Sequence, residues 1–103
     1  MSPDVSVVDV PDASRYVIEV DGRPVGLLSY RLSDGTVAMM HAEINPAVER
    51  HGLGSSLVAF ALDDARARAL SVLPYCPFVR SYIAEHPQYQ DLVPEDSRAD
   101  FGL

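Results

Sequence analysis

Apolar positions change their spacing near Gly52. Before it, short β-rich runs alternate with turn residues. Arg15-Tyr16-Val17-Ile18-Glu19-Val20 predicts a strand, Asp21-Gly22 a hairpin turn, and Pro24 to Leu32 an antiparallel partner strand. Ser33-Asp34-Gly35 makes a second tight turn into a longer strand, Thr36 to Ile44, which Asn45-Pro46 stops. From Gly52 to Leu70 the apolar residues Leu53, Leu57, Phe60 or Ala61, Ala65 and Ala69 recur at three- and four-residue spacing, the period of an amphipathic helix.

Ser71 to Pro74 is a short strand, expected to run parallel to Thr36–Ile44 because a helix connects the two. A second helix is expected from about Pro77 to Glu85, with Pro77 at its first position and His86-Pro87 ending it. Residues 1–13 read as a flexible leader or edge strand, 14–93 as the folded domain, and 94–103 as an acidic tail. The fold class is α/β with a mixed sheet: an antiparallel meander followed by strand, loop, helix, strand and helix.

The junction from Ile44 through Glu49-Arg50-His51-Gly52-Leu53-Gly54-Ser55 carries the most chemical information. A helix that starts after a glycine turn presents unpartnered amides and a partial positive charge, so its natural ligand is an anion such as a pyrophosphate. The same turn also serves as a plain connection between strand and helix. A P-loop needs a lysine followed by Ser or Thr, but Ser55-Ser56 follow Gly54 and the chain contains no lysine. A dinucleotide fingerprint needs glycine where Leu57 stands, and an acidic residue at the end of a second parallel strand about twenty positions on.

What remains resembles the acyl-coenzyme A pyrophosphate loop of the GNAT N-acetyltransferases. In that pattern Gln or Arg is followed after two residues by Gly, any residue, then Gly or Ala; here Glu49 stands in the first place and Arg50 where Gly is frequent. Val72 to Tyr89, with Pro74-Tyr75-Cys76 leading into an aromatic helix closed by His86-Pro87, is similar to a very small GNAT-like subfamily, as is His41-Ala42-Glu43. The resemblance implies acetyl transfer from acetyl-coenzyme A to an amine, on a small molecule or a protein. It implies that backbone amides of Arg50, His51, Gly52, Leu53, Gly54 and Ser55 hold the pyrophosphate. A backbone N–H near Ala42 to Ile44 would polarise the thioester carbonyl. Tyr82 would be the acid for the departing thiolate; Phe78 and Tyr89 read as packing.

Composition narrows the alternatives. With 103 residues, 48% hydrophobic and 22% charged, the chain fits one globular domain. A formal net charge of −7 with eight scattered arginines disfavours nucleic acid and mildly favours a cationic acceptor. No apolar run has the length of a membrane span, and no basic and apolar signal opens the chain, so a cytoplasmic location is expected. One cysteine excludes an internal disulfide.

Three further side chains could take part in chemistry. Cys76 precedes a helix whose dipole would favour a thiolate, although a lone cysteine is also a common small core residue. His41 and Glu43 are two apart on one strand, hence on one face, and either could take a proton from an attacking amine or simply sit on a solvated face. His41, Glu43 and Cys76 lack the paired spacing of metal ligands, so no metal is expected. Two other functions stay open: a coenzyme A-binding or regulatory module without turnover, favoured by Glu49, and an interaction domain that binds no carrier.

Overall fold

The structure, a computed structural model, describes residues 4–48 and 52–103. Among them five strands form one sheet in chain order: β1 (Val5–Val10), β2 (Arg15–Val20), β3 (Arg23–Ser33), β4 (Thr36–Ile44) and β5 (Ser71–Pro74). The first four pair antiparallel, and β5 pairs parallel with β4. Helix α1 (Leu53–Ala67) crosses between β4 and β5, and α2 (Pro77–Glu85) follows β5. This is the mixed α/β sheet expected from the sequence.

Both hairpin turns carry the backbone that their Asp-Gly pairs favour, with positive φ at Asp21 and Gly22 and again at Asp34 and Gly35. Of the two readings of the first residues, the edge strand holds for Val5–Val10, so the antiparallel part has four strands rather than three. Helix α1 is shorter than its periodicity suggests. Its C-cap is Arg68, and Ala69 takes a left-handed conformation that turns the chain into β5 instead of joining the core. Of the pair left open, Ala61 is buried and Phe60 faces outward.

One core lies between the helices and a single face of the sheet. Tyr16, Ile18, Leu28, Met39 and Val72 from the strands meet Leu57, Val58 and Leu62 from α1 and Val79 and Ile83 from α2. Among the described residues no helix covers the sheet's other face, and Val8 on that side is 39% exposed. Two tyrosines of the covered face end in carboxylates: Tyr16 donates to Asp64 and Tyr30 to Asp9, each at 2.6 Å. Arg68 reaches both carboxylates, at 3.3 and 3.4 Å, and so ties β1 to α1.

The expected acidic tail is corrected. Short 3-10 helices at Pro87–Leu92 and Glu95–Phe101 bring Leu92, Val93 and Phe101 into the core. Phe101 meets the Tyr75 ring edge to face at 5.3 Å, and Arg66 of α1 grips Asp91 through two bonds of 2.9 Å. The acidic residues around Phe101 face solvent while the aromatic anchors the segment, which is why composition alone reads it as unattached.

Candidate functional site

The site begins where two paired strands part. Pairing of β4 with β5 spans only Thr36–Met39 against Ser71–Pro74, with one further bond from the Cys76 N–H to the Met39 carbonyl at 2.9 Å. Strand β4 then continues alone to Ile44 on that side. The Asn45 N–H donates to the Val25 carbonyl across β3 at 2.7 Å. Backbone direction alternates along a strand, so Glu43 also turns its N–H towards β3, while Ala42 and Ile44 turn theirs to the free edge. Among the described residues, no turn or loop carbonyl receives those two amides.

A bulge decides which side chains accompany that edge. Tyr30 pairs with Met39 and Ser29 with His41, leaving Met40 as the extra residue. Before the bulge, Val37 and Met39 face the helices; after it, Ala42 opposite buried Leu28 and Ile44 opposite Gly26 take that side. His41 and Glu43 are thereby re-aimed to the uncovered face. They remain a pair, with Nε2 to Oε1 at 3.2 Å and both side chains 63% exposed.

The helix start lies beside the same edge. Gly52 precedes α1 at φ +69°, a left-handed conformation that suits glycine, and among the described residues no side chain caps the helix. Ser56 is the first residue to donate back to Gly52, at 3.2 Å, so the amides of Leu53, Gly54 and Ser55 lie in the turn before any intrahelical bond. Leu53 is buried and anchors this turn. A Cβ at Gly54 would stand 2.9 Å from the Phe78 ring, so a side chain there would displace that ring.

Ala42, Ile44, Gly52, Gly54, Ser55 and Phe78 enclose a cleft of about 380 Å³. A larger, shallow basin of about 750 Å³ is lined by Arg15, Val17, Leu27 and Glu43, and it shares Ala42 and Ile44 with the cleft. One strand thus borders two cavities. A glycine turn and a row of helix-start amides beside an unpaired strand edge suit an anionic ligand.

The candidates are dispersed rather than gathered at one point. Ile44, Gly52, Gly54 and Ser55 line the cleft, and Leu53 contributes its amide from the same turn. Glu49, Arg50 and His51 lie outside the described residues. Glu43 lines the basin, with His41 beside it. Cys76 is 3% exposed and belongs to the core cluster, and Tyr82 stacks on His86 at 3.9 Å; neither lines the cleft. Phe78, read from the sequence as packing, lines it instead. Its position was legible, since it falls one residue out of phase with the buried Val79 and Ile83.

The site is thus a strand–turn–helix junction beside the split of a mixed sheet. The model of the GCN5-related N-acetyl-transferase family matches residues 15–92, and the chain belongs to that family. No curated protein matches the chain. Among the described residues no helix is long and apolar enough to cross a membrane, and no three metal-ligating side chains cluster.

Proposed function

We propose that this protein transfers an acetyl group from coenzyme A to an amine. The observation that carries the reading is the pairing of two sets of backbone donors: the α1 amides of Leu53, Gly54 and Ser55, and the edge amides of Ala42 and Ile44 along one cleft. The first set suits a pyrophosphate and the second suits the amides and thioester carbonyl of an extended arm. Family membership supports the same carrier. The carrier supplies an activated acyl carbon whose bond to sulfur is broken in the reaction.

The acceptor amine approaches from the basin on the uncovered face. Its nitrogen forms the new bond to the acyl carbon, the carbon–sulfur bond breaks, and the sulfur leaves as thiolate. Glu43, assisted by His41 at 3.2 Å, takes the proton released by nitrogen. A donor N–H at Ala42 or Ile44 stabilises charge on the carbonyl oxygen, by about 3 kcal/mol when well aligned. Tyr82 of α2 is the proposed acid for the thiolate, and Cys76, the N-cap residue of α2, the proposed participating thiol.

One observation favours a second reading, a coenzyme A-binding module without turnover: the Cys76 thiol is buried and the Tyr82 ring is engaged with His86. Titration of coenzyme A followed by acyl-coenzyme A with a panel of amines tests both. Saturable binding with amine-dependent release of free thiol supports transfer. Binding without release selects the module, and absence of binding removes both readings.

A further inference from the structure

Phe78 is a large apolar side chain that its own helix does not use. The core positions of α2 are Val79 and Ile83, while Phe78 is 46% exposed. Its ring reaches instead from the first turn of α2 to the first turn of α1. A methyl group on Gly54 would stand 2.9 Å from Cζ, 3.3 Å from Cε1 and 3.6 Å from Cε2. The ring therefore rests directly on the Gly54 backbone. Gly54 is not left-handed, so what a side chain there would disturb is the seated ring and not the backbone conformation.

The seated ring is the one aromatic among the residues lining the cleft. The other walls divide by chemistry: Gly52, Gly54 and Ser55 offer amides to phosphates, and Ala42 and Ile44 offer amides at a strand edge with half-buried apolar side chains. Backbone donors bind the phosphates of any nucleotide. Discrimination in favour of a nucleotide that bears a long, largely aliphatic arm requires apolar surface along the arm's path, and Phe78 supplies the largest exposed piece of it.

Resting on the coenzyme A reading above, we propose that Phe78 is a specificity-determining residue: its ring, seated on Gly54, is the apolar wall for the pantetheine arm and selects carriers that bear it. The wall is built from two helix starts, so it exists only while α1 and α2 hold their relative positions. Gly54 is the seat, and Phe78 is the contact.

Calorimetric titration of the full chain with coenzyme A, and with its phosphorylated ADP half lacking pantetheine, tests this. Phe78→Ala is expected to weaken coenzyme A about tenfold and the bare nucleotide less than about twofold, with Phe78→Leu in between. Gly54→Ala, which unseats the ring, is expected to reproduce the selective loss, and the double variant to be no weaker than Phe78→Ala. Because Phe78 lies outside the core, its variants are expected to melt like the wild type, which a thermal scan checks. Equal losses for both ligands, or unchanged coenzyme A affinity in Phe78→Ala, would overturn the proposal while leaving the carrier reading intact. A wild-type chain that binds neither ligand would remove the carrier reading and this proposal with it.

Discussion

The Cys76 N–H donates to the Met39 carbonyl at 2.9 Å, one residue before the bulge at Met40 re-aims β4. Closure of the sheet and reversal of the strand's faces therefore occur side by side. Beyond this point Glu43 points to the basin, and the amides of Ala42 and Ile44 point to the edge that β5 has left.

That division yields a separation of effects at Glu43. Glu43→Gln keeps the shape of the side chain but removes its basicity, and it is expected to lower transfer at neutral pH by at least about tenfold while coenzyme A affinity stays within about twofold. Steady-state kinetics and calorimetry on the same preparation measure the two quantities. Unchanged turnover would assign the proton to another group.

Cys76→Ser places a hydroxyl where a thiol is buried among apolar side chains. A stability loss of about 1–2 kcal/mol is expected from burying the more polar group. Chemical denaturation gives that value, and kinetics under folding conditions give the catalytic effect. A drop in transfer well beyond tenfold in folded protein would establish that the sulfur participates in the reaction.

The two buried tyrosines make stability fall in alkali. Burial first, then the hydrogen bond to Asp9, pushes the Tyr30 hydroxyl up to about 12; burial and the bond to Asp64 raise Tyr16 further still. Unfolded tyrosines ionise near 10, so between pH 10 and 12 the unfolded chain releases protons that the native chain retains. The stabilisation is full below pH 10 and is lost as pH rises through that window. Melting temperature against pH, with tyrosinate absorbance as a second signal, should show the fall, and Tyr16→Phe should flatten it.

Phe101→Ala is expected to cost about 2–3 kcal/mol, somewhat less than a fully enclosed phenylalanine, because the ring is 9% exposed and packs on Tyr75. Denaturant unfolding measures the cost. A change under 0.5 kcal/mol, roughly the noise of a surface substitution, would mean that the C-terminal segment adds little to the core.

Much of the architecture was legible because its signals are local. Asp21-Gly22 and Asp34-Gly35 specify their turns through backbone preference, and Pro77 and His86-Pro87 bracket α2 by the geometry of proline. The glycine turn at Gly52 likewise announces the start of α1. What was hidden depends on distant partners. The bulge at Met40 is a mismatch of register with β3, and nothing in Met39-Met40-His41 records it. Phe101 follows an acid-rich stretch in sequence and becomes a core residue through distant partners such as Tyr75 and Arg80. The outward position of Phe78 is legible from its phase on α2, but its contact is not, because its neighbour Gly54 is 24 positions away.

The bulge divides the side chains of β4 between two directions. Positions 41 and 43 project to the uncovered side and positions 42 and 44 to the helical side, while the backbone between them borders both cavities. Side chains at 41 and 43 can therefore vary on one side of the sheet while the backbone edge on the other stays as it is.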